Sequence, residues 1–265
     1  MPYMKKPLLE VIFASEKRKN VLLLLMDGAQ EMEYLLKTLN TTRQALLPQL
    51  KTLEYHYLIF HYDDSYELTT IGKLLVDKME PLLGTLGIFD KDIEYWGTRD
   101  LDFIPPQLQA RLRELEPCTL VTAVPTAELC EPYKHAVENA KRSTFQVSVT
   151  TFLFPNFTSM LEDFKDHGVS MWLVVSEELL TKIKEGQNER LKILLRSEHN
   201  KLYLYRERMG FVSFGHNDFS FMMRIFNKTG TYDHKYVSSD SPSALIWAKE
   251  LFDHYLRESI PVTEI

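Results

Sequence analysis

Cysteine is scarce: Cys118 and Cys130 are the only two in 265 residues, and they lack CxxC spacing. That excludes a disulfide scaffold and predicts a reducing, cytoplasmic setting with both thiols structural. Long apolar runs are missing too. Val21–Met26 is far too short to span a bilayer. The apolar stretch Pro7–Phe13 follows Lys5 and Lys6 but is broken by Glu10, with no small-residue cleavage pattern behind it. Neither a membrane anchor nor a secretion signal is expected. No low-complexity tract and no solenoid-length repeat occurs. The signatures of common catalysts are absent: no P-loop, GxGxxG, HExxH or GxSxG. Eight histidines are scattered without metal-ligand spacing. Paired carboxylates such as Asp63/Asp64 and Glu177/Glu178 read as a turn and an exposed helix start. Catalytic residues, metal ligands and cofactors are therefore all expected to be none. Bulk positive charge is lacking as well, at a formal net charge of −6. Residues 1–89 hold ten Lys or Arg against eleven Asp or Glu, so the acidic excess lies mostly further on. Any DNA binding must use locally placed charge.

The stretch 41–53, TTRQALLPQLKTL, stands out. Thr41-Thr42-Arg43-Gln44 fits a capping box in which a Thr hydroxyl takes a backbone N–H and Gln44 reaches back. Leu46, Leu50 and Leu53, with Leu47 beside them, make one buried stripe. The opposite side carries Gln44, Ala45, Pro48, Lys51 and Thr52. Small, polar, non-acidic side chains suit the major groove, where Gln reads adenine and Lys reaches guanine or phosphate. Taken alone, the pattern fits a plain amphipathic helix. Its surroundings make helix 41–55 a DNA reader, with Thr42 and Arg43 joining the contact set.

Those surroundings are short helices at 7–14, 15–26 and 30–38, the turn Leu39-Asn40-Thr41, and a change of period after Tyr57. Asp27-Gly28 stops the second of those helices. Leu58, Phe60 and Tyr62 alternate with Ile59 and His61, Asp63-Asp64-Ser65 turns, and Tyr66-Glu67-Leu68 returns: a two-stranded wing. Its two aspartates would repel phosphate, so a close grip by the wing is not expected. Pro48 removes one helical hydrogen bond and predicts a bend. A helix then runs from Ile71 to about Phe89, with Pro81 bending it or ending its regular part. Leu75, Met79, Leu82, Leu86 and Phe89 step at heptad spacing, which predicts a homodimer seam.

At 265 residues the chain is comfortable for two domains. The expected division is 1–70 as winged helix-turn-helix, 71–90 as linking and dimerisation helix, and 91–265 as an α/β sensor domain. Residues 95–106 read as a connector and 106–116 as a helix. Strands are expected at 119–123, 144–151, 169–175, 201–205, 209–214 and 219–226. Helices are expected at 127–140, 155–166, 176–185, 189–196 and 241–257. Such alternation argues an α/β fold with a partly parallel sheet.

Residues 15–89, then Tyr95-Trp96, Arg99-Asp100-Leu101 and Ile104-Pro105-Pro106, then Gly230-Thr231-Tyr232-Asp233-His234, and finally Ala244-Leu245-Ile246-Trp247 with Leu251-Phe252 are the distinctive segments. In that order they resemble the archaeal methanogenesis regulators. Those join an ArsR-like winged helix to the domain named after the methanogen filamentation response regulator. The resemblance implies a methanogen transcription factor acting on methanogenesis genes such as those for methyltransferases, with double-stranded DNA as partner.

The order of strands and helices in the second half also resembles a phospholipase-D-type half. That enzyme class needs His-x-Lys-x4-Asp, the His attacking phosphorus and the Lys holding an oxygen. The matching hairpin here has Phe211, Ser213 and Asp218. The near match His199-Asn200-Lys201 has Arg206 where Asp is needed and precedes another strand. A DNA-targeted phosphodiester hydrolase is the alternative that this scaffold raises and the missing His and Lys disfavour. What remains is a binding module for a small-molecule effector or a signalling protein. Strand ends and turns are expected to gather Thr150, Thr151, Ser176, Tyr205, Phe211, Ser213, Asp218, Tyr232 and His234, with Trp172 nearby.

Overall fold

Three hydroxyl side chains punctuate the N-terminal part of the computed structural model, which describes residues 6–122 and 134–265. Ser15 follows helix α1 (Leu8–Phe13) and caps α2 (Glu16–Leu24), its Oγ accepting the Arg18 N–H at 3.4 Å. A 3-10 turn, Leu25–Asp27, carries α2 to Gly28, whose φ of 120° only glycine adopts without strain. Strand β1 (Gln30–Glu31) and helix α3 (Met32–Thr38) come next, then α4 (Arg43–Tyr55) after a turn with Asn40 at φ 46°. Thr42 caps α4 by accepting the Ala45 N–H at 3.3 Å. This corrects the expected capping box. With Thr42 as cap, the third helical position is Ala45, so Gln44 is not placed to reach back.

The wing is β2 (Ile59–Tyr62) and β3 (Ser65–Leu68), paired antiparallel with Tyr62 opposite Ser65. Asp63 and Asp64 form the two-residue turn, both at positive φ, 47° and 65°. Aspartate tolerates that conformation, and such turns match the twist of the strands. Gln30 and Glu31 were expected inside a helix. They pair instead with Tyr66 and Ser65, adding a third strand in the order β1-β3-β2.

Thr69 is the third hydroxyl, and it opens helix α5 (Thr70–Asp90). Its Oγ1 donates to the Tyr57 carbonyl at 2.6 Å and accepts the Gly72 N–H at 3.0 Å. A Cβ on Gly72 would collide with the Leu58 carbonyl oxygen. The Leu-Thr-x-x-Gly pattern therefore ties the wing to the start of α5. Residues 1–83 form one compact unit and 84–265 another. The first has its own core, in which Val21, Leu22, Met32, Leu35, Leu46, Leu50, Leu53, Leu58, Leu68 and Val76 are buried.

The second unit is organised by an eight-stranded sheet, ordered β11-β7-β6-β5-β8-β9-β10-β4 among the described residues. The strands are β4 (Thr119–Thr122), β5 (Phe145–Thr150), β6 (Ser170–Ser176), β7 (Asn200–Tyr205), β8 (Ser213–Asn217), β9 (Phe221–Arg224), β10 (Lys235–Ser239) and β11 (Ile260–Pro261). Strands β5, β6 and β7 run parallel and every other pairing is antiparallel. One face is covered by α12 (Pro242–Arg257), with α6 (Ile93–Gly97), α7 (Pro106–Gln109) and the 3-10 turn Leu112–Leu115 in the same core. The other carries α8 (Lys134–Lys141), α9 (Phe157–Asp166), α10 (Glu177–Glu185) and α11 (Glu189–Leu195).

The chain is thus an α/β protein. The expected connector at 95–106 overlaps the end of α6, which Asp92 caps. The strands β10 and β11 were not foreseen: β10 is a polar stretch and β11 two residues long. Residues 127–133 of the expected helix at 127–140, and Cys130, lie outside the described residues. No helix among those described is long and apolar enough to cross a membrane.

Candidate functional site

Helix α4 separates its two sides cleanly. Leu46, Leu50 and Leu53 are buried, while Thr42, Arg43, Gln44, Pro48 and Lys51 are exposed and Ala45 and Thr52 half-buried. The Thr52 hydroxyl donates to the Pro48 carbonyl at 2.8 Å, holding its polar group against the helix. Tyr55 continues the same face one turn on and is exposed. Tyr55 lies outside the expected contact set, although the 3.6-residue period carries the face from Lys51 to it.

The wing modifies the expected electrostatics. Arg43 forms an ion pair with Asp64 at 2.6 Å, both side chains more than half exposed. One wing carboxylate is therefore offset by a cation from α4, although an exposed pair adds little stability. Phe60 and Tyr62 project from one face of β2, exposed and stacked with ring centres 6.3 Å apart. Period-two alternation had placed both on that face, but not shown that it is the outer one.

The proposed seam on α5 divides. Met79 is buried in the first unit's core, Leu75 packs against that core, and Phe89 packs edge-on against Trp96 in the second unit. Leu82 and Leu86 are 50% and 42% exposed. Ile71 and Leu74, outside the heptad set, are exposed as well and extend the outward stripe towards the start of the helix.

In the second unit, a cavity of about 110 Å³ lies between the sheet and helices α8 and α9. Gln146, Ser148 and Thr150 of β5, Ser213 and Asn217 of β8, and Arg224 of β9 form its polar floor. Phe152, Phe154, Phe157, Met160, Met171 and Leu173 supply apolar walls. Of the nine residues expected to gather here, Thr150 and Ser213 line it.

The others go elsewhere. Phe211 is fully buried on the α12 side among Phe103, Phe214 and Tyr255, and Tyr205 packs against Tyr255 there. The Thr151 hydroxyl donates to the Val212 carbonyl, and the Ser176 hydroxyl caps α10. Asp218 accepts the Thr144 N–H at 2.7 Å and its hydroxyl at 2.9 Å, at the start of β5. Thr150 is six residues further along that strand, roughly 20 Å away. The expected ring of strand ends is split by the length of the strand. Tyr232 and His234 stack edge-on, 5.2 Å apart, and Tyr232 neighbours Arg224. Trp172 is half-buried under the Lys201 ammonium, 4.1 Å from its ring.

Among the described residues, no three His, Cys, Asp or Glu side chains are placed to hold a metal. Cys118 is buried and its carbonyl accepts from Lys91 at 2.5 Å. Burial pushes its thiol above the ordinary value, the reverse of an activated nucleophile.

The family model described as methanogenesis regulatory protein FilR1, N-terminal domain, matches residues 6–87, and that of the same protein's middle domain matches 129–258. The chain belongs to this family of methanogenesis regulatory proteins. It is 24% identical to the methanogenesis regulatory protein FilR1 of Methanothrix harundinacea (strain 6Ac) over 264 residues. That span is 96% of this chain and 58% of the relative's length. Among solved structures, TrmBL2, an archaeal chromatin protein, aligns over 94% of both chains at 14% identity and a TM-score of 0.44. CalO1, a methyltransferase of calicheamicin biosynthesis, aligns over 74% of this chain and 76% of its own at 11% identity and a TM-score of 0.23.

Segments by which the chain resembles the methanogenesis regulators meet at one place in the second unit. The Arg99 side chain, 2% exposed, forms an ion pair with Asp233. It donates to the Thr98 hydroxyl at 2.7 Å and lies 4.1 Å from the Tyr95 ring. The Lys228 N–H reaches the Thr98 carbonyl at 2.8 Å, and Arg99 bridges Asn227. Trp247 donates its indole N–H to the Leu108 carbonyl at 2.9 Å. The YWGTRD and GTYDH segments are therefore two halves of one buried clasp, a role for family motifs that geometry alone reveals.

Proposed function

We propose that this chain is a DNA-binding transcriptional regulator of methanogenesis-related genes in a methanogenic archaeon, working in the cytoplasm. Helix α4 reads the major groove, the α5 region links and dimerises, and the second unit senses a small molecule or a partner protein. The observation that carries the reading is the outward face of α4, where exposed Gln44, Pro48 and Lys51 stand opposite buried Leu46, Leu50 and Leu53. A face with no carboxylate that offers an amide and an ammonium fits base edges and phosphates. The family to which the chain belongs supplies the class of genes.

Gln44→Ala and Lys51→Ala are each expected to weaken specific binding by roughly 1–3 kcal/mol where the lost group met a base. Where Lys51 meets phosphate, the slope of log affinity against log salt also falls by about one. Fluorescence anisotropy with a selected duplex measures both. Wild-type affinity in both variants would remove α4 as the reader.

The dimer is supported by the apolar stripe of Ile71, Leu74, Leu82 and Leu86, which the chain leaves exposed. Leu82→Asp and Leu86→Asp are expected to convert a dimer into a monomer while the first unit stays folded. Neither residue belongs to the buried set of its core. Sedimentation velocity at tens of micromolar checks this, and a monomeric wild type would refute it.

A further inference from the structure

Two arginines of the second unit are matched by carboxylates: Arg99 by Asp233, and Arg111 by Glu114 and Glu250. Arg224 differs. Its neighbours are two aromatic rings, Phe154 at 5.3 Å and Tyr236 at 5.1 Å, the Tyr232 side chain, and the Ser213 hydroxyl at 3.4 Å. No ion pair joins it to a carboxylate among the described residues, and it lines the cavity. Arg224 is half-buried, and a guanidinium partly withdrawn from water without a carboxylate beside it is costly. Burial accordingly pulls its pKa down, and only the phenols of Tyr232 and Tyr236 act the other way.

The rest of the floor is internally satisfied. Asn217 donates to Gln146 at 3.0 Å, and the Gln146 amide reaches the Val147 and His216 carbonyls. Ser148 donates to the Phe214 carbonyl, and Thr150 to that of Phe152. The free hydrogen-bonding capacity of the cavity thus lies mainly in one planar, five-donor cation. Of its five donors, one makes a long bond to Ser213, at 3.4 Å, and the Tyr232 side chain is its other hydrogen-bond partner among these contacts. Phe152, Phe157, Met160 and Met171 also line the cavity and suit a hydrocarbon. A cavity near 110 Å³ is somewhat smaller than one of about 150 Å³ that takes up benzene.

We propose that this cavity binds a small organic acid, its carboxylate forked by Arg224 and its short apolar body held against the α9 side. The fork geometry of guanidinium matches a carboxylate two bonds at a time. An inorganic oxyanion would satisfy the cation but leave the aromatic walls unfilled. The proposal rests on the reading of the second unit as a sensor and names the ligand class for it.

The test uses the full chain and a series of straight-chain and branched carboxylates of three to about six carbons, titrated by calorimetry. Each acid is matched by its neutral carboxamide, and inorganic phosphate serves as an anion without a body. The expected result is that at least one acid binds, about tenfold or more tighter than its amide, as a charge-assisted pair requires. Phosphate should bind more weakly still. Arg224→Met should lose the preference for acid over amide, and Arg224→Lys should keep part of it. Equal binding of acid and amide by wild type overturns the site, as does no binding anywhere in the series. The acid–amide comparison needs no variant, so a misfolded Arg224→Met does not rescue the idea. Adding the best acid to a DNA titration then separates the two readings. A tight acid that leaves DNA affinity unchanged keeps the site and removes the sensor role.

Discussion

Asp233→Asn is expected to lower the stability of the second unit by roughly 3–5 kcal/mol, the cost of leaving a buried charge unpaired. The asymmetry of the pair makes the prediction specific. Arg99 is 2% exposed and Asp233 38% exposed. Neutralising the aspartate strands a guanidinium that cannot reach water. Arg99→Met strands only a carboxylate that water already reaches, and methionine keeps part of the contact with Tyr95. It should cost well under half as much, even after losing a cation–π contact of about 1–2 kcal/mol. Urea unfolding of the full chain, followed by tryptophan fluorescence, measures this directly. Trp96, Trp172 and Trp247 all belong to the second unit, so the first is silent. Equal losses, or a larger loss for Arg99→Met, would show that the clasp is held by side-chain fit rather than by the ion pair.

The same unit is expected to weaken as the medium turns mildly acid, through His216. This side chain points from β8 towards α12, buried, with ring contacts to Phe145 and Phe252 and no partner for Nε2 among the described residues. Burial lowers its pKa to about 4, against 6.5 for the free side chain, with the Asn217 backbone acting the other way. The sign follows from which state binds the proton first. Between pH 6.5 and about 4 the unfolded chain is protonated at this position and the folded one is not. Stability is therefore full above about 6.5, falls as pH drops towards 4, and levels out below. The loss is of the order of 3 kcal/mol. Carboxylates titrate in the same window, so the informative quantity is a difference between proteins. His216→Phe keeps an aromatic ring in place and removes the titration. The drop in stability from pH 7 to pH 4 should be about 3 kcal/mol smaller in the variant. Parallel pH profiles for the two proteins would mean that the imidazole finds water or a partner when charged.

The sequence anticipated most elements whose ends carry local chemistry. Ser15, Ser176 and Ser241 cap the helices predicted to start behind them. The Asp63-Asp64 turn and the Gly28 stop lie where those residues predicted. Elements held only by distant partners escaped. Strand β1 exists because Gln30 and Glu31 find β3, and β11 because Ile260 and Pro261 find β7. Neither stretch has a period of its own. Heptad spacing on α5 was real, but spacing does not say which side a protein uses for its own core. Val76 and Met79 took the inner side.

The cavity was harder to see for a related reason. On β5, Gln146, Ser148 and Thr150 alternate with Val147 and Val149, a pattern that reads as a solvent face. The structure covers that face with α9, so polar residues floor a cavity instead. Arg224 was invisible for the same cause, being an arginine in an otherwise ordinary strand. Conversely, Phe211 and Tyr205 were drawn into the expected site by their nearness to strand ends. A strand end places a residue along the sheet but does not decide its face. Their side chains point to the α12 side and fill the core.

The central claim, that α4 reads DNA sequence, is most directly tested by selecting binders from a random duplex library with the full wild-type chain and, in parallel, with Gln44→Ala. The account predicts an enriched motif for the wild type, and for the variant the same motif with preference relaxed at the position Gln44 reads. No enrichment by the wild type, or an identical motif with every position equally strict in both selections, would contradict it.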